Sequence, residues 1–368
     1  MTGVVELHIT DVAFGGKGVA RTDGKAVFVP YVIDGESVRA SITREHKKFL
    51  EADLETILTA SPHRVEPPCS YFGRCGGCVY QHIEYEHQLA LKWRQVKETL
   101  RRIGGLKEPP MRPFIASPIE YRYRNRITVH VRDGVIGFFR RESNKLLGIE
   151  QCPIAHDEVN AKLTELRSSN PHDGHYTLRV IDGPRVFTQA NDEVAAAMLD
   201  LVDRLLATAG GTLIDAYCGA GFFAKRLRVR FETVVGIDWD QHAIAVARED
   251  ANENEIYIAA DMDVELGYVL KKGGVEAAVP AAKRVGGAGD TSATTLIVDP
   301  PATGLSKALV ETLIEHLPTQ LIYVSCNPAT LARDLAALKK SFHIDSITPL
   351  DMFPQTAEVE VVAELSPN

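Results

Sequence analysis

An apolar run, Leu321–Val324, closes on Ser325 and Cys326, and Asn327-Pro328 then opens the helical stretch ATLARDLAALKK. This order predicts a thiol at the carboxyl end of a strand, where α/β sheets place their ligands. It also sets the sulfur beside a helix N-terminus, which favours the thiolate. Such a setting suits a covalent nucleophile better than a core cysteine. A second group is Cys69-x5-Cys75-x2-Cys78, with glycines at 73, 76 and 77, a tight loop that presents three thiols to one centre. Cys152, in EQCPIA and followed by proline, is the natural fourth. Four thiolates suit either an iron–sulfur cluster or a tetrahedral zinc ion, and the residues alone leave both open. Cys218 lies in a glycine turn and reads as small packing.

That turn is the third chemical signal. The run LIDAYCGAG (213–221) is an apolar strand leading into Gly219 and Gly221, small residues that let a ligand approach the backbone. The next strand, Val234–Ile237, ends in Asp238, roughly 20 residues on, where a carboxylate accepts hydrogen bonds from ribose hydroxyls. The pair predicts a nucleoside-type cofactor. A dinucleotide fingerprint wants a third glycine where Ala224 stands; since alanine is sometimes accepted, the turn does not choose between nicotinamide and S-adenosylmethionine.

These groups need elements to hold them, and the 368-residue chain is long enough for two or three domains. Residues 1–60 read as short alternating strands parted by Gly15-Gly16, Asp23-Gly24 and Asp34-Gly35, an oligonucleotide-binding-like β-barrel. Residues 61–185 carry the cysteine loop and a helix over 85–103 with the apolar stripe Leu89, Trp93, Val96, Leu100 and Ile103, and residues 120–190 are again strand-like, in NRITVHV, GVIGFFR, YTLRVI and PRVFTQA. From 186 to 368 helices and strands alternate, as in a doubly wound, Rossmann-like parallel sheet. Residues 271–293 read as an inserted surface loop.

Net charge is −8, but unevenly spread: residues 1–153 hold 23 Lys and Arg against 18 Asp and Glu, the remainder 18 against 31. The basic half, with Arg44/Lys47/Lys48, Arg122/Arg124/Arg126 and Arg140/Arg141, is where phosphates are expected. Aromatics beside these arginines (Tyr121, Tyr123, Phe138, Phe139) are candidate stacking platforms. With neither a signal peptide nor an apolar span of membrane length, the chain is expected in the cytoplasm, with no membrane partner.

The runs CSYFGRCGGCVYQH, VFTQAN, DAYCGAGFF, VDPPATGL, YVSCNPATLARDL and DMFPQTAEVEVV resemble the RNA uracil-5-methyltransferase family, in its form with an N-terminal TRAM domain and an iron–sulfur cluster. The likeness extends over essentially the whole chain. It implies a class I methyltransferase domain after the TRAM barrel and a central α+β iron–sulfur domain. It implies S-adenosylmethionine as methyl donor and RNA, favouring 23S ribosomal RNA over transfer RNA, as substrate, with no DNA partner. By the same resemblance Cys326 is the nucleophile and Glu360 the base, Glu358 being its rival. Gln189, Tyr217, Gly219, Asp238, Asp261 and Asp299 fall at donor-binding positions; Gln189 and Asp299 equally suit the imide edge of uracil. Cys69, Cys75, Cys78 and Cys152 become ligands of a [4Fe–4S] cluster.

The implied chemistry accounts for the residue types. Carbon 5 of uracil is a poor nucleophile until a thiolate adds at carbon 6, and a base must later remove the carbon 5 proton. Three positions depart from the family pattern: Phe222 where asparagine is usual, Ala302 where arginine follows D-P-P, and Glu358 in place of histidine. Ala302 also argues against an adenine amino-methylating enzyme, which needs an aromatic there, and the DMFPQT…E run argues against a cytosine-5 enzyme. A catalytically silent RNA-binding iron–sulfur protein is the alternative of a different class.

Overall fold

The computed structural model describes residues 3–183, 186–206, 210–271 and 293–368. Apart from its two end residues, the inserted loop expected over 271–293 lies outside them. The N-terminal sheet comprises β1 (Val4–His8), β2 (Asp11–Val12), β3 (Lys17–Thr22), β4 (Lys25–Pro30), β5 (Ser37–Glu45) and β6 (Phe49–Thr59), in the order β1-β5-β6-β4-β3-β2. Asp23 and Gly24, at φ of 48° and 77°, make the two-residue turn joining β3 to β4, where both central residues need positive φ. Alternate residues Val27 and Val29, Val38 and Ala40 point into one core, and β1 also lies against β3, which curls the sheet toward a barrel. Glu36, fully buried, ties this unit to the chain that follows: it accepts Arg64 at 2.6 and 2.8 Å and the N–H groups of Ile33 and Ser61.

The central segment holds α1 (Tyr85–Arg102), β7 (Arg126–Arg132), β8 (Val135–Phe139), β9 (Leu146–Gly148), α2 (Asp157–Ser168) and β10 (Gly174–Arg179), its strands forming an antiparallel sheet β10-β7-β8-β9. The expected strand PRVFTQA does not form over residues 186–190, while Pro184 and Arg185 lie outside the described residues. Helix α1 departs from its expected stripe. Leu89, Val96 and Leu100 are buried, but Trp93 is half-exposed and Ile103 exposed, while the polar Gln88, Lys92 and Gln95 are buried. Val96 and Leu100 join the core of the C-terminal domain.

That domain contains α3 (Asp192–Leu205), β11 (Thr212–Ala216), α4 (Phe222–Leu227), β12 (Thr233–Asp238), α5 (Gln241–Glu249), β13 (Glu255–Ala259), α6 (Met262–Lys271), β14 (Thr294–Val298), α7 (Lys307–His316), β15 (Gln320–Ser325), α8 (Pro328–Leu338), β16 (Phe342–Leu350) and β17 (Glu360–Pro367). The strand order is β13-β12-β11-β14-β15-β17-β16, parallel through β15, with β17 antiparallel to both neighbours. Side chains of α3, α4 and α5 cover one face. Those of α6, α7, α8 and α1 cover the other, so the central strands are apolar on both sides, as a doubly wound sheet requires. Among the described residues no helix is long and apolar enough to cross a membrane.

Candidate active site

The strands leave their chemical groups at one edge, the carboxyl ends of β11, β12, β14 and β15 and the amino end of β17. After β11 the chain turns through Tyr217 (φ 65°), Gly219 (φ 53°) and Gly221 (φ 89°) into α4. A non-glycine residue held in the left-handed region is strained, and such strain collects at ligand sites. Asp238 fastens this turn: its Oδ2 accepts Gly219 N–H and its Oδ1 accepts Asp240 N–H, each at 2.8 Å. Each carboxylate oxygen retains a lone pair for a hydroxyl. Asp261 is exposed and its Oδ1 accepts Asp263 N–H at 2.8 Å at the start of α6, a capping bond. Phe222 is half-buried, edge-on to Phe223 with ring centroids 4.9 Å apart, so the side chain departing from the family pattern packs on the core.

Sequence reasoning passed over Asp215, an acid inside the apolar strand before the turn. It is fully buried; Oδ2 accepts Ala224 N–H at 2.8 Å while Oδ1 has no hydrogen-bond partner among the described residues. Burial, opposed by that bond and helped by Asp299 and Asp238, pushes its pKa up to about 7. The available signal was the break in an otherwise apolar run.

Cys326 is exposed one residue beyond β15, and Glu360, 3% exposed, is the first residue of β17. Pairing of these strands ends at Ser325 opposite Val361, so the next position on each strand is Cys326 and Glu360. Asp299, half-buried, follows β14 on the other side of β15. Burial pushes Asp299 up to about 7. Glu360 is raised well above the usual carboxylate range by burial, then by the charges of Asp299 and Glu358, and its Oε1 is buried without a hydrogen-bond partner among the described residues. The direction at Cys326 is opposite to that expected of a helix start. Protein packed around the sulfur, then Glu360 and Asp299, push it up to about 11. Asn327 caps α8, accepting Ala329 N–H at 3.0 Å. Asn327 Nδ2 and the Thr330 hydroxyl both donate to the Ala302 carbonyl at 3.1 Å, and Arg333 donates to the carbonyls of Thr303 and Leu305 at 3.0 Å. The loop at Ala302 is thus held by α8. Glu358, by contrast, is exposed.

Gln189 is buried on the approach to α3, its carbonyl accepting Asn125 Nδ2 at 2.8 Å. Near it Phe187 is 64% exposed, with the Arg126 guanidinium 5.0 Å from its ring centre. Tyr123 is no stacking platform: it is buried, its hydroxyl donating to the Pro354 carbonyl at 2.9 Å. Phe138 packs on the core of the central sheet.

Cys69, Cys75, Cys78 and Cys152 line one open cavity of about 900 Å³, together with Arg124, Arg126, Arg140 and Arg141. All four are free thiols. Burial pushes Cys78 up to about 12 and Cys152 up to about 11, and each feels the charges of its neighbours in the group. The Ala155 N–H donates to the Cys152 carbonyl at 3.0 Å, and Asn160 Oδ1 accepts the Cys152 N–H at 2.8 Å. Among the described residues, no group of three or more His, Cys, Asp or Glu is arranged to hold a metal ion.

Comparison with known proteins bears on this arrangement. The family described as tRNA (Uracil-5-)-methyltransferase matches residues 170–366, and the TRAM domain matches residues 3–54. An uncharacterised RNA methyltransferase of Gloeobacter violaceus is 30% identical, covering 98% of this chain and 96% of its own length. One of Bdellovibrio bacteriovorus is 31% identical, covering 98% and 94%. Among solved structures, the Pyrococcus abyssi tRNA (uracil-54, C5)-methyltransferase in complex with S-adenosyl-L-homocysteine is similar over 99% of this chain and 100% of its own, with a TM-score of 0.71 and 25% identity. A TRAM domain leads into a class I methyltransferase sheet with its chemical groups at one edge, and the chain belongs to the S-adenosylmethionine-dependent RNA (uracil-5-)-methyltransferase family of enzymes.

Proposed function

We propose that this enzyme methylates carbon 5 of a uridine in 23S ribosomal RNA, with Cys326 as covalent nucleophile and Glu360 as base. The observation that carries the reading is the register of β15 against β17, in which Cys326 and Glu360 are the facing positions just past Ser325 and Val361. Cys326 loses its proton to solvent and adds to carbon 6, leaving carbon 5 as the nucleophilic end of an enolate. When bound, S-adenosylmethionine supplies an electrophilic methyl on a cationic sulfur, a charge that favours ionised Asp299 and Glu360. Glu360 then takes the carbon 5 proton; the C5–H electron pair becomes the C5=C6 bond as the C6–S bond breaks and Cys326 leaves as thiolate. A poorly solvated carboxylate is a stronger base than one in water, which suits the final step. Gly219, Tyr217, Asp238 and Asp261 line the donor side by this reading, and Gln189 and Asp299 reach the donor or the uracil imide edge. Cys326→Ala abolishes both methylation and covalent adducts with 5-fluorouridine RNA; persistent turnover would sink the assignment.

The target must leave its helix or lie in a loop for carbons 5 and 6 to be reached. Arg124 and Arg126, with no carboxylate in salt-bridge range among the described residues, supply a track for the neighbouring phosphates. The choice of 23S RNA rests on the pairing of TRAM domain and cysteine loop; the whole-length likeness to a transfer RNA enzyme favours a T-loop uridine as the second reading. Mapping 5-methyluridine in both RNA pools of a deletion strain separates them.

We also read Cys69, Cys75, Cys78 and Cys152 as ligands of a [4Fe–4S] cluster. The donor set fits: four thiols line one cavity. Four thiolates would also suit zinc, and the resemblance to family members that carry the cluster favours iron–sulfur. Anaerobically prepared protein shows a broad absorbance near ~400 nm that Cys75→Ser removes; colourless protein holding zinc would overturn the reading.

A further inference from the structure

Between Leu350 and Glu360 the chain leaves the sheet for residues 351–359 and returns to pair with the residue from which it left. This excursion is held by groups outside the C-terminal sheet. Lys92 Nζ of α1 donates to Asp351 Oδ1 at 2.6 Å and to the Phe353 carbonyl at 3.1 Å, with both side chains of the ion pair fully buried. The Tyr123 hydroxyl donates to the Pro354 carbonyl at 2.9 Å. Gln88 and Gln355 exchange two bonds: Gln88 Nε2 to Gln355 Oε1 at 3.0 Å, and Gln355 N–H to Gln88 Oε1 at 3.2 Å. The N–H groups of Val79 and Tyr80, which directly follow Cys78, donate to the Gln355 carbonyl at 3.1 and 3.0 Å. Gln355 itself sits at φ 69°, a conformation that persists only where its surroundings over-determine it.

We propose that this clamp, with Gln88 at its centre, positions Glu360 for removal of the carbon 5 proton. The proposal rests on the reading of Glu360 as base. Gln88 touches neither RNA nor donor in it; it is a positioning residue. Burying Gln88 and Lys92 on a helix costs desolvation, and their bonds to residues 351–355 serve to hold one loop shape. Glu360 forms the terminal pair between β16 and β17, so its placement depends on the segment entering it. Misplacement by about 1 Å can cost on the order of a hundredfold in rate. Cys326 lies just past β15, beside the Asn327 cap of α8, so release of the clamp leaves thiol addition and methyl transfer in place.

The test is single-turnover methylation of uridine RNA by the full-length Gln88→Ala enzyme, resolved on denaturing gels. The expected result is a covalent protein–RNA band that forms at close to the wild-type rate but decays roughly ten- to a hundredfold more slowly. Tyr123→Phe, which removes a single hydroxyl, shows the same split at smaller size and answers the question if Gln88→Ala folds poorly. Decay at the wild-type rate in both variants overturns the proposal, as does an equal loss of formation and decay. Glu360→Gln run beside them separates the two ideas. If it accumulates no band, the base assignment fails and the proposal falls with it; if it does while Gln88→Ala and Tyr123→Phe do not, only the clamp fails.

Discussion

Two buried glutamates, one in the barrel and one in the catalytic sheet, show how burial leads to opposite chemistry. Glu36 is completely buried, and burial alone would raise its pKa. The Arg64 guanidinium and the N–H groups of Ile33 and Ser61 more than offset this and hold the carboxyl below its usual range. Glu360 is almost as deeply buried, but Oε1 has no hydrogen-bond partner among the described residues and its charged neighbours are Asp299 and Glu358, so the carboxyl is driven up. The first is a structural anchor whose charge is fully engaged. The second keeps its hydrogen-bonding capacity unspent, the state a proton acceptor needs before substrate arrives.

The sharpest way to break this contrast is to neutralise each in turn. Glu360→Gln slows methylation by roughly 10²- to 10⁴-fold, the usual scale for a lost general base. Its melting temperature is close to wild type, because a protonated acid and an amide are similar guests in that site; a large loss of stability with normal turnover would reverse the assignment. Glu36→Gln does the opposite, leaving the chemical step intact while costing about 3 kcal/mol of stability, since Arg64 loses its buried partner. Chemical denaturation measures that figure, and an unchanged midpoint would show the pair to be dispensable.

The smallest effect separates the two kinds of acid by pH. Glu36 has a lowered folded pKa, so its contribution is present above the unfolded carboxylate value of 4.5 and is lost as pH falls through the folded value. Asp215, the buried acid before the donor turn that has no cationic partner among the described residues, is raised from 3.8 to about 7, so its contribution is full below 3.8 and is lost as pH rises through about 7. Between those limits the wild type loses up to about 1.4 kcal/mol per pH unit from this group. Asp215→Asn flattens that slope without altering the acid limb. Parallel melting curves of wild type and variant from pH 5 to 8 would count against it.

Much of the site was legible before any coordinates. Cys326 at a strand end, the glycine turn at 219–221 and Asp238 after the next strand are signals confined to short stretches, and each lies where its pattern placed it. The stripe on α1 was misread because Gln88, Lys92 and Gln95 are polar, and periodicity assigns polar side chains to water. They are inside because their partners, Asp351, Gln355 and the Val12 carbonyl, lie far away in sequence. The direction at Cys326 was not legible for a related reason: a helix start is a local feature, but burial, first, and then Glu360 and Asp299, which raise the thiol, come from packing of distant segments.

The sequence by itself determined which residue types this protein has for its chemistry, and that each sits at the end of an element, because turn glycines, caps and apolar periods act over a few residues. Only the tertiary structure decided which of them meet. Strand β17 lies between β15 and β16, and its register sets Glu360 rather than Glu358 against Cys326. That choice follows from sheet pairing across the 35 residues that separate Ser325 from Glu360, and from the buried bonds that hold the loop between them. No local pattern carries information about such a contact, since its free energy exists only once the distant segments are packed.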